Sequence, residues 1–237
     1  MPSPPRWLAA LQKTIAEHSK DNVFQIASLD SNNIPHVRSQ IYRTTLTPKL
    51  HPSLPIFISS TDIRTPKVSQ IIFNPSNPGS KVEVCWWIDP AKEQFRIQAR
   101  AFIIPSPSHP AHEKLDVQAG KGLYALVKED KVDLEDLRRD TFNSMSSHMK
   151  ASWCRPQPGS VLKGGYEESK SWPEKVPKIG EAETDEDKKN LEMALGNFAL
   201  VALEPEEVDY VELGIVPNRR RRFVRKGEDW TEEYVVP

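Results

Sequence analysis

Hydroxyl and cationic side chains cluster at one point of the sequence, where Thr61, Arg64, Thr65 and Lys67 lie close together. A strand before this cluster and a helix after it would add free backbone N–H groups and the positive end of the helix. Such a combination suits an anion. An ordinary capped surface helix with solvated charges would carry the same residue types, so this stretch alone leaves both interpretations open.

The flanking residues predict the elements that would position this cluster. Residues Ile56–Ile58 form an apolar run typical of a buried strand, and Ser59–Asp62 then supply side-chain oxygens suited to a turn or a helix cap. Apolar residues from Val68 onward recur at helical spacing, with Pro66 tolerated in a first turn. The sequence therefore predicts a strand, a polar turn, and a short helix that begins near Arg64 and ends before Pro75.

Two further cations, Arg38 and Arg43, lie on a predicted strand upstream. Residues Val23–Leu29 and Pro35–Leu46 read as the two strands of a hairpin. Because side chains alternate along a strand, the two arginines share a site only if a bulge, a strong twist or a second subunit brings them together. A strand that faces water would carry both arginines without any function.

Composition bounds the class of protein and its compartment. The chain has 237 residues, and 32 Lys and Arg nearly balance 33 Asp and Glu, which gives no general footprint for nucleic acid. No stretch approaches the length of a membrane span, and we expect no membrane partner. Cys85 and Cys154 are predicted to be a reduced pair in a cytoplasmic protein. His109 and His112 lack a third ligand at a clear spacing, so no metal site is predicted.

The rest of the chain predicts a mainly β protein with helices, an α+β fold. The predicted helices and strands beyond those above are the helix from Pro4 to about Lys20, strands Lys81–Ile88 and Gln94–Ile104, helices His112–Val127 and Leu134–Met149, and strands Phe198–Leu203, Glu207–Leu213, Arg220–Arg225 and Trp230–Val236. This order favours a closed antiparallel barrel with helices packed on it. Polar residues 163–190 predict a mobile insertion or a lid.

The order of these segments resembles the pyridoxamine 5'-phosphate oxidase-like split-barrel flavoproteins over about residues 4 to 237. The similarity is carried by the strand Arg38–Arg43, the turn and helix start Ser60–Lys67 with Gln70-Ile71 and Asn74-Pro75, the strand Glu93–Ile97, and the ending from Arg219–Phe223 to Trp230 and Pro237. The resemblance implies one antiparallel split β-barrel domain with flanking helices over residues 1–237, and a homodimer with FMN at the subunit interface.

The resemblance also implies roles for individual residues. Arg38, Arg43, Thr65 and Lys67 would hold the phosphate, which agrees with the preference of a dianion for several fixed cations. Ser60 and Thr61 would contact the flavin ring and the ribityl region. Gln94 would contact the edge of the ring, and Arg222 and Gln157 would contact FMN elsewhere.

The chain departs from this family at two cofactor positions and at the positions that recognise the substrate. Pro66 stands where the oxidase carries an arginine, and Glu212 where it carries a tryptophan. The substrate signature Arg-x-His-x-Arg reads Asn-Arg-Arg-Arg-Arg over residues 218–222. The helical tyrosine, arginine and serine of the family align with Asp140, Ser144 and His148. The resemblance is therefore to a divergent branch that keeps most of the cofactor site but not the site for pyridoxine phosphate.

Three functions remain open at this point. The first is an FMN-dependent oxidoreductase that acts on a small molecule other than pyridoxamine phosphate, with His148 and Arg220 as guesses for substrate contact and no residue identified as a general base. The second is a pyridoxamine 5'-phosphate oxidase with replaced substrate residues. The third is a flavin-binding module without turnover.

Overall fold

The computed structural model describes residues 3–72 and 80–237. The strands are β1 Val23–Leu29, β2 Pro35–Leu46, β3 Ile56–Asp62, β4 Ser80–Ile88, β5 Glu93–Ile104, β6 Phe198–Glu212, β7 Arg219–Lys226 and β8 Asp229–Val235. The α-helices are α1 Arg6–Glu17, α2 Pro66–Ile72, α3 Lys121–Tyr124, α4 Leu134–Asn143, α5 Ser147–Ala151 and α6 Asp185–Asn197. The turn predicted at 74–80 and the family fragment at 74–75 fall on or beside residues 73–79, outside the described part.

Six of the strands close into an antiparallel barrel. All eight form one sheet in the order β3-β2-β1-β4-β5-β6-β7-β8, and an additional pairing joins β3 to β6. In that closing ladder Phe57 pairs with Leu203 and Asp62 pairs with Phe198. Strands β7 and β8 extend the sheet beyond the ring. The predicted α+β split-barrel class is confirmed.

Two hydrophobic cores share strands β3 and β6. The barrel interior is filled by residues from α1 and the alternating faces of the strands, with Trp7, Trp86 and Phe95 fully buried. The second core packs Ile58 and Leu200, from the outer face of the barrel, against helices α3 to α6. Because the first residues of β3 and β6 are buried on both faces, Ile56–Ile58 and Phe198–Leu203 are continuous apolar runs rather than alternating ones.

Two strand predictions need correction. The polar run Ser59–Asp62, predicted as a turn, belongs to β3, because its backbone continues the ladder with β6 as far as Asp62. Pro205, predicted to separate two strands, lies inside β6. The register there shifts between Gln98 and Ala99 of β5, so proline is accommodated at a β-bulge rather than at a strand end.

The helical predictions between the two halves of the sheet also need correction. The single helix predicted over 112–127 is a series of short helical turns that includes α3, and the helix predicted over 134–149 is divided into α4 and α5. The predicted start of α4 is confirmed, since the Asp133 side chain accepts hydrogen bonds from the backbone N–H groups of Glu135 and Asp136. In the described residues, no helix is long and apolar enough to cross a bilayer.

The polar segment 163–190 contains a short 3₁₀ helix, Gly165–Ser171, and the first turns of α6. Val176 is fully buried in the second core. Helix α6 begins with a capping box in which Thr184 and Asp187 exchange hydrogen bonds. Thr184 and Asp187 are a sequence signal for the start of a helix. The polar composition of the segment led to a prediction of a mobile insertion instead.

Candidate functional site

A cavity of about 690 Å³ lies between the barrel and the helical layer. The barrel side comes from β1, β2, β3 and the start of α2, and the helical side comes from α5 and the loop that follows it. The lining includes Arg43, Ser60, Thr61, Thr65, Lys67, Met149, Trp153, Arg155, Gln157 and Trp172. The cavity therefore contains most of the hydroxyl and cationic residues predicted from the sequence.

The turn between β3 and α2 is shaped by Asp62. Its carboxylate accepts hydrogen bonds from the Arg64 backbone N–H at 2.9 Å and from the Arg64 guanidinium at 2.9 and 2.6 Å. The Asp62 carbonyl accepts from the backbone N–H and the hydroxyl of Thr65. The Asp62 carboxylate therefore compensates the charge of Arg64, and this pair stabilises the turn. Thr65 and Lys67 line the cavity.

Lys67 is a buried cation that lines the cavity, and only 7% of the residue is exposed. Across residues 3–72 and 80–237 its ammonium has no hydrogen-bond or ion-pair partner. Burial, reinforced by the nearby charge of Arg38, lowers the pKa of Lys67 to about 8, although Asp62 acts in the opposite direction. A buried ammonium without a partner is unfavourable unless a bound anion compensates it.

Arg43 reaches the same cavity because β2 is irregular where it occurs. The pairing of β2 with β3 shifts register between Tyr42 and Thr44, which makes Arg43 the extra residue of a bulge. The Arg43 Nε donates to the Ser60 hydroxyl at 3.1 Å, and burial lowers the pKa of the Arg43 guanidinium. The sequence analysis expected Arg38 and Arg43 to share a site only if a bulge, a strong twist or a second subunit brought them together, and a bulge is present at Arg43.

Arg38 lies behind the cavity rather than in its wall. Its guanidinium donates to the Ser28 hydroxyl at 2.6 Å, to the Gln70 side-chain oxygen at 2.8 Å and to the His36 carbonyl at 3.0 Å. Burial lowers the pKa of Arg38. Arg38 therefore acts on the cavity in this arrangement through its charge, which contributes to the lowered pKa of Lys67.

The helical wall is attached to the turn at residues 61–64 by three hydrogen bonds. The Trp153 indole N–H donates to the Thr61 carbonyl at 3.1 Å, and the Gln157 amide donates to the Arg64 carbonyl at 3.2 Å. The Arg64 guanidinium in turn donates to the Arg155 carbonyl at 3.0 Å. These bonds fix Gln157 at the cavity, where the sequence predicted a cofactor contact.

Four other predicted residues are not brought to this cavity within one chain. Gln94 lies on β5, opposite Val211 of β6. Arg220 and Arg222 of β7 form ion pairs with Asp209 at 2.6 Å and Glu233 at 2.6 Å. His148 is exposed, and its Nδ1 lies 2.9 Å from the Glu174 carbonyl oxygen.

The cavity residues that the sequence analysis did not predict include Met149, Arg155 and Trp172. The predicted Gln157 contact pointed to this loop, so its neighbour Arg155 was within reach of sequence reasoning. Trp172 was not, because it comes from the polar segment whose path across the cavity depends on the burial of Val176.

The residues of the cavity fit an organic phosphate. Lys67 and Arg43 supply positive charge, and Ser60, Thr61 and Thr65 supply hydroxyl groups on the same surface. Arginine and lysine side chains beside hydroxyl donors form the usual environment of a bound phosphate dianion. Lys67, a buried residue whose ammonium has no partner in the described chain, is the specific observation that favours a bound anion here.

Comparison with known proteins agrees with this chemistry. Residues 4–105 match the family model described as pyridoxamine 5'-phosphate oxidase, FMN-binding domain. Comparison with curated protein sequences gives no match.

Two solved structures share the fold at low sequence identity. One is a pyridoxamine 5'-phosphate oxidase-related, FMN-binding protein from Nostoc punctiforme, with 20% identity, a TM-score of 0.70, and coverage of 99% of this chain and 100% of that one. The other is PhzG from Burkholderia lata in complex with tetrahydrophenazine-1-carboxylic acid, with 14% identity, a TM-score of 0.60, and coverage of 100% and 94%. The family model that residues 4–105 match describes an FMN-binding domain, and the chain shares the split-barrel fold of both solved structures.

Proposed function

We propose that this protein is an FMN-dependent oxidoreductase that acts on a small molecule other than pyridoxamine phosphate. The observation that carries the proposal is Lys67, a buried cation without a partner in the described chain, placed among hydroxyl groups in a cavity large enough for a nucleotide. When bound, FMN supplies hydride transfer at its N5 atom.

The residues of the chain bind and orient the cofactor in this proposal. Lys67 and Arg43 neutralise the phosphate, with the Ser60 hydroxyl as a donor, the Thr65 hydroxyl beside it and Arg38 as a charge behind them. Thr61 and Gln157 are proposed to contact the rest of the nucleotide, and Trp153 positions Thr61 through its indole hydrogen bond. Met149 and Trp172 exclude water from the apolar end of the cavity.

A homodimer is part of the proposal. Gln94 and Arg222 are predicted flavin contacts that the fold keeps outside the cavity of their own chain, and a second copy is a way to deliver them to it. Exposed apolar side chains on the hairpin that carries Arg43 support this, since Val37 is 66% exposed and Ile34 is 52% exposed. A cytoplasmic location is also proposed, which two free cysteines support.

The test compares FMN with riboflavin, which lacks the phosphate. We expect the wild-type protein to be yellow and to prefer FMN, and we expect the double substitution Lys67→Ala with Arg43→Ala to remove that preference. Each lost charge-assisted contact should weaken FMN by about tenfold or more, because such bonds are worth about 1.5–3 kcal/mol. Stability should change little, and thermal unfolding of the apo protein checks this.

A matched control is Lys13→Ala with Arg6→Ala, since both side chains are exposed on α1. A colourless wild-type protein that ignores added FMN at low ionic strength contradicts the proposal. So does a Lys67/Arg43 variant that retains stoichiometric FMN.

Turnover is tested separately from binding. The FMN-loaded protein is mixed without air with pyridoxine phosphate or with NAD(P)H, and loss of the oxidised flavin absorbance is followed. Bleaching by pyridoxine phosphate would identify the protein as the vitamin enzyme and would refute the proposed substrate class. Absence of bleaching by any donor would favour a flavin-binding module without turnover.

A further inference from the structure

The arginines that lack a carboxylate partner are concentrated at one place. Ten arginines of the chain form ion pairs with Asp or Glu, namely Arg6, Arg64, Arg96, Arg100, Arg138, Arg139, Arg220, Arg221, Arg222 and Arg225. Within the described residues, Arg38, Arg43, Arg155 and Arg219 have none. Three of these four lie in or directly behind the cavity, and Arg219 is exposed on β7.

Arg155 differs from the other two because it reaches the cavity from the helical wall. Its backbone is held against the turn that carries Lys67, since the Arg155 carbonyl accepts the Arg64 guanidinium at 3.0 Å. Its guanidinium carbon lies 5.9 Å from the centre of the Trp172 ring, a cation–π contact. The side chain is exposed, and no described carboxylate or carbonyl accepts its N–H groups.

The Trp172 ring positions the Arg155 guanidinium without consuming its hydrogen-bond donors. A guanidinium stacked on an aromatic face keeps its planar fork of N–H groups free for a second partner. Both residues line the cavity that also contains Lys67 and Thr65.

We propose that Arg155, positioned by Trp172, is an anion-binding residue of this cavity, acting opposite Lys67. Position 66 of the turn is a proline, which provides no charge, and Arg64 is paired with Asp62, so Lys67 is the remaining cation of the turn. Arg155 supplies a cation from the other wall. This inference rests on the proposed function for the identity of the main ligand, but not for the anion itself.

Two sources of the anion fit the same chemistry, namely the phosphate of FMN and an acidic group on a second ligand that binds beside the flavin. Titration with FMN and riboflavin tests the first source. If Arg155 binds the flavin phosphate, Arg155→Ala weakens FMN by about tenfold and leaves riboflavin unchanged, which corresponds to about 1.4 kcal/mol.

The second source is tested on the FMN-loaded protein with benzoate as a planar monocarboxylate probe. If Arg155 binds the acid of a second ligand, Arg155→Ala leaves FMN affinity unchanged and abolishes the change that benzoate produces in the flavin absorbance. Arg155→Lys should recover part of the effect in either case, because it keeps the charge and loses the planar fork. Arg6→Ala is the matched control for removing an exposed arginine.

A third titration uses the apo protein and does not depend on flavin. Inorganic phosphate is added while tryptophan fluorescence is recorded, because capture of an anion by Arg155 changes its stacking on Trp172. We expect saturable quenching or enhancement in the wild type and a loss of about tenfold in affinity in Arg155→Ala.

The inference is overturned if wild type and Arg155→Ala have equal affinities in all three titrations, or if Arg155→Ala weakens FMN and riboflavin equally. A wild type that binds phosphate through Arg155 but never binds FMN would contradict the proposed function and leave this inference standing. A wild type that binds neither phosphate nor FMN contradicts both.

Discussion

Lys67 shows how one side chain can connect ligand binding to pH. Its pKa is lowered to about 8, chiefly by burial and then by the charge of Arg38. A bound phosphate dianion would favour the protonated form and raise that pKa again. Ligand affinity must therefore depend on the protonation state of Lys67.

The sign of this dependence follows from the two titrating partners. A phosphate monoester is fully dianionic above its second pKa of about 6. Apo Lys67 loses its proton as the pH passes about 8. We expect FMN affinity to be greatest between these values and to fall by about tenfold per pH unit well above 8, until the pKa of bound Lys67 is reached.

Riboflavin affinity over the same pH range provides the control, since riboflavin carries no phosphate. In Lys67→Met the fall near pH 8 should disappear. FMN binding that stays constant from pH 7 to pH 10 in the wild type would show that Lys67 does not face the phosphate.

The sequence predicted which cationic residues belong to the site more easily than it predicted how each side chain is placed relative to the cavity. Thr65 and Lys67 follow a local strand-turn-helix pattern, so their shared surface was readable. The cavity position of Arg43 depends on a bulge against β3, which no local pattern encodes. Arg38 was predicted to grip the phosphate directly, whereas hydrogen bonds to Ser28 and Gln70 hold its guanidinium behind the cavity wall.

At the scale of elements, His51 links three loops of the chain through its side chain. It lies in the loop between β2 and β3, and its Nε2 is 2.9 Å from Glu129 while its Nδ1 is 2.8 Å from Glu228. Glu129 ends the helical turn after α3, and Glu228 lies in the β7–β8 turn. Both nitrogens can donate only in the imidazolium form, and these bonds raise the pKa of His51, with Glu228 first and Glu129 second.

This raised pKa predicts a pH-dependent contribution to stability. The stabilisation is fully present below the ordinary value of 6.5 and is lost as the pH rises through the raised pKa. The pairs are partly exposed, so we expect about 1 kcal/mol or less, a shift of about 2–4 °C in Tm for a chain of this size. Tm of wild type minus Tm of His51→Gln should be largest near pH 6 and vanish near pH 9.

A Tm difference that is the same at both pH values would contradict this assignment. Glu228→Gln is a matched variant, because it removes the partner with the largest effect on the pKa and should reproduce most of the difference.

Strands were predicted from the sequence better than helices, and the reason is physical. The bounds of β1 and β2 match the prediction, and in β1 one buried face imposes a period of two that the sequence displays directly. The region after β5 depends instead on a distant residue. The Glu204 carboxylate accepts hydrogen bonds from the backbone N–H groups of Lys121, Gly122 and Leu123, which starts α3 at that point.

Gly120 is part of the same arrangement. A Cβ atom there would lie 2.7 Å from both the Glu204 carboxylate and the Phe102 ring. The close approach requires glycine, and only the assembled fold reveals it. Local periodicity therefore favoured one long helix where tertiary contacts impose several short turns.

At the scale of the whole molecule, the proposed dimer makes the outer side of the first hairpin an interface. Val37 is its most exposed apolar residue at 66%, and Leu29 and Ile34 are about half exposed. We expect Val37→Glu to convert the protein to a monomer, because an unpaired charge in an apolar interface is strongly unfavourable. Sedimentation equilibrium measures the change, and weakened FMN retention should accompany it if the partner contributes to the site.

Val216→Glu is the matched control, since Val216 is 98% exposed on the β6–β7 connection. A wild type that sediments as a monomer, or a Val37→Glu variant that remains a dimer with full FMN retention, would contradict this arrangement.

The pairing of β3 with β6 has a consequence for synthesis of the chain on the ribosome. Thr61 lies on β3 and lines the cavity, and its ladder partner is Ala199, so most of the chain must be translated before this strand gains its neighbour. Until then β3 presents an unpaired, apolar edge, which is a template for aggregation. A nascent chain arrested before residue 198 should therefore recruit chaperones and fail to capture the flavin nucleotide, even though every residue of the matched domain has already emerged.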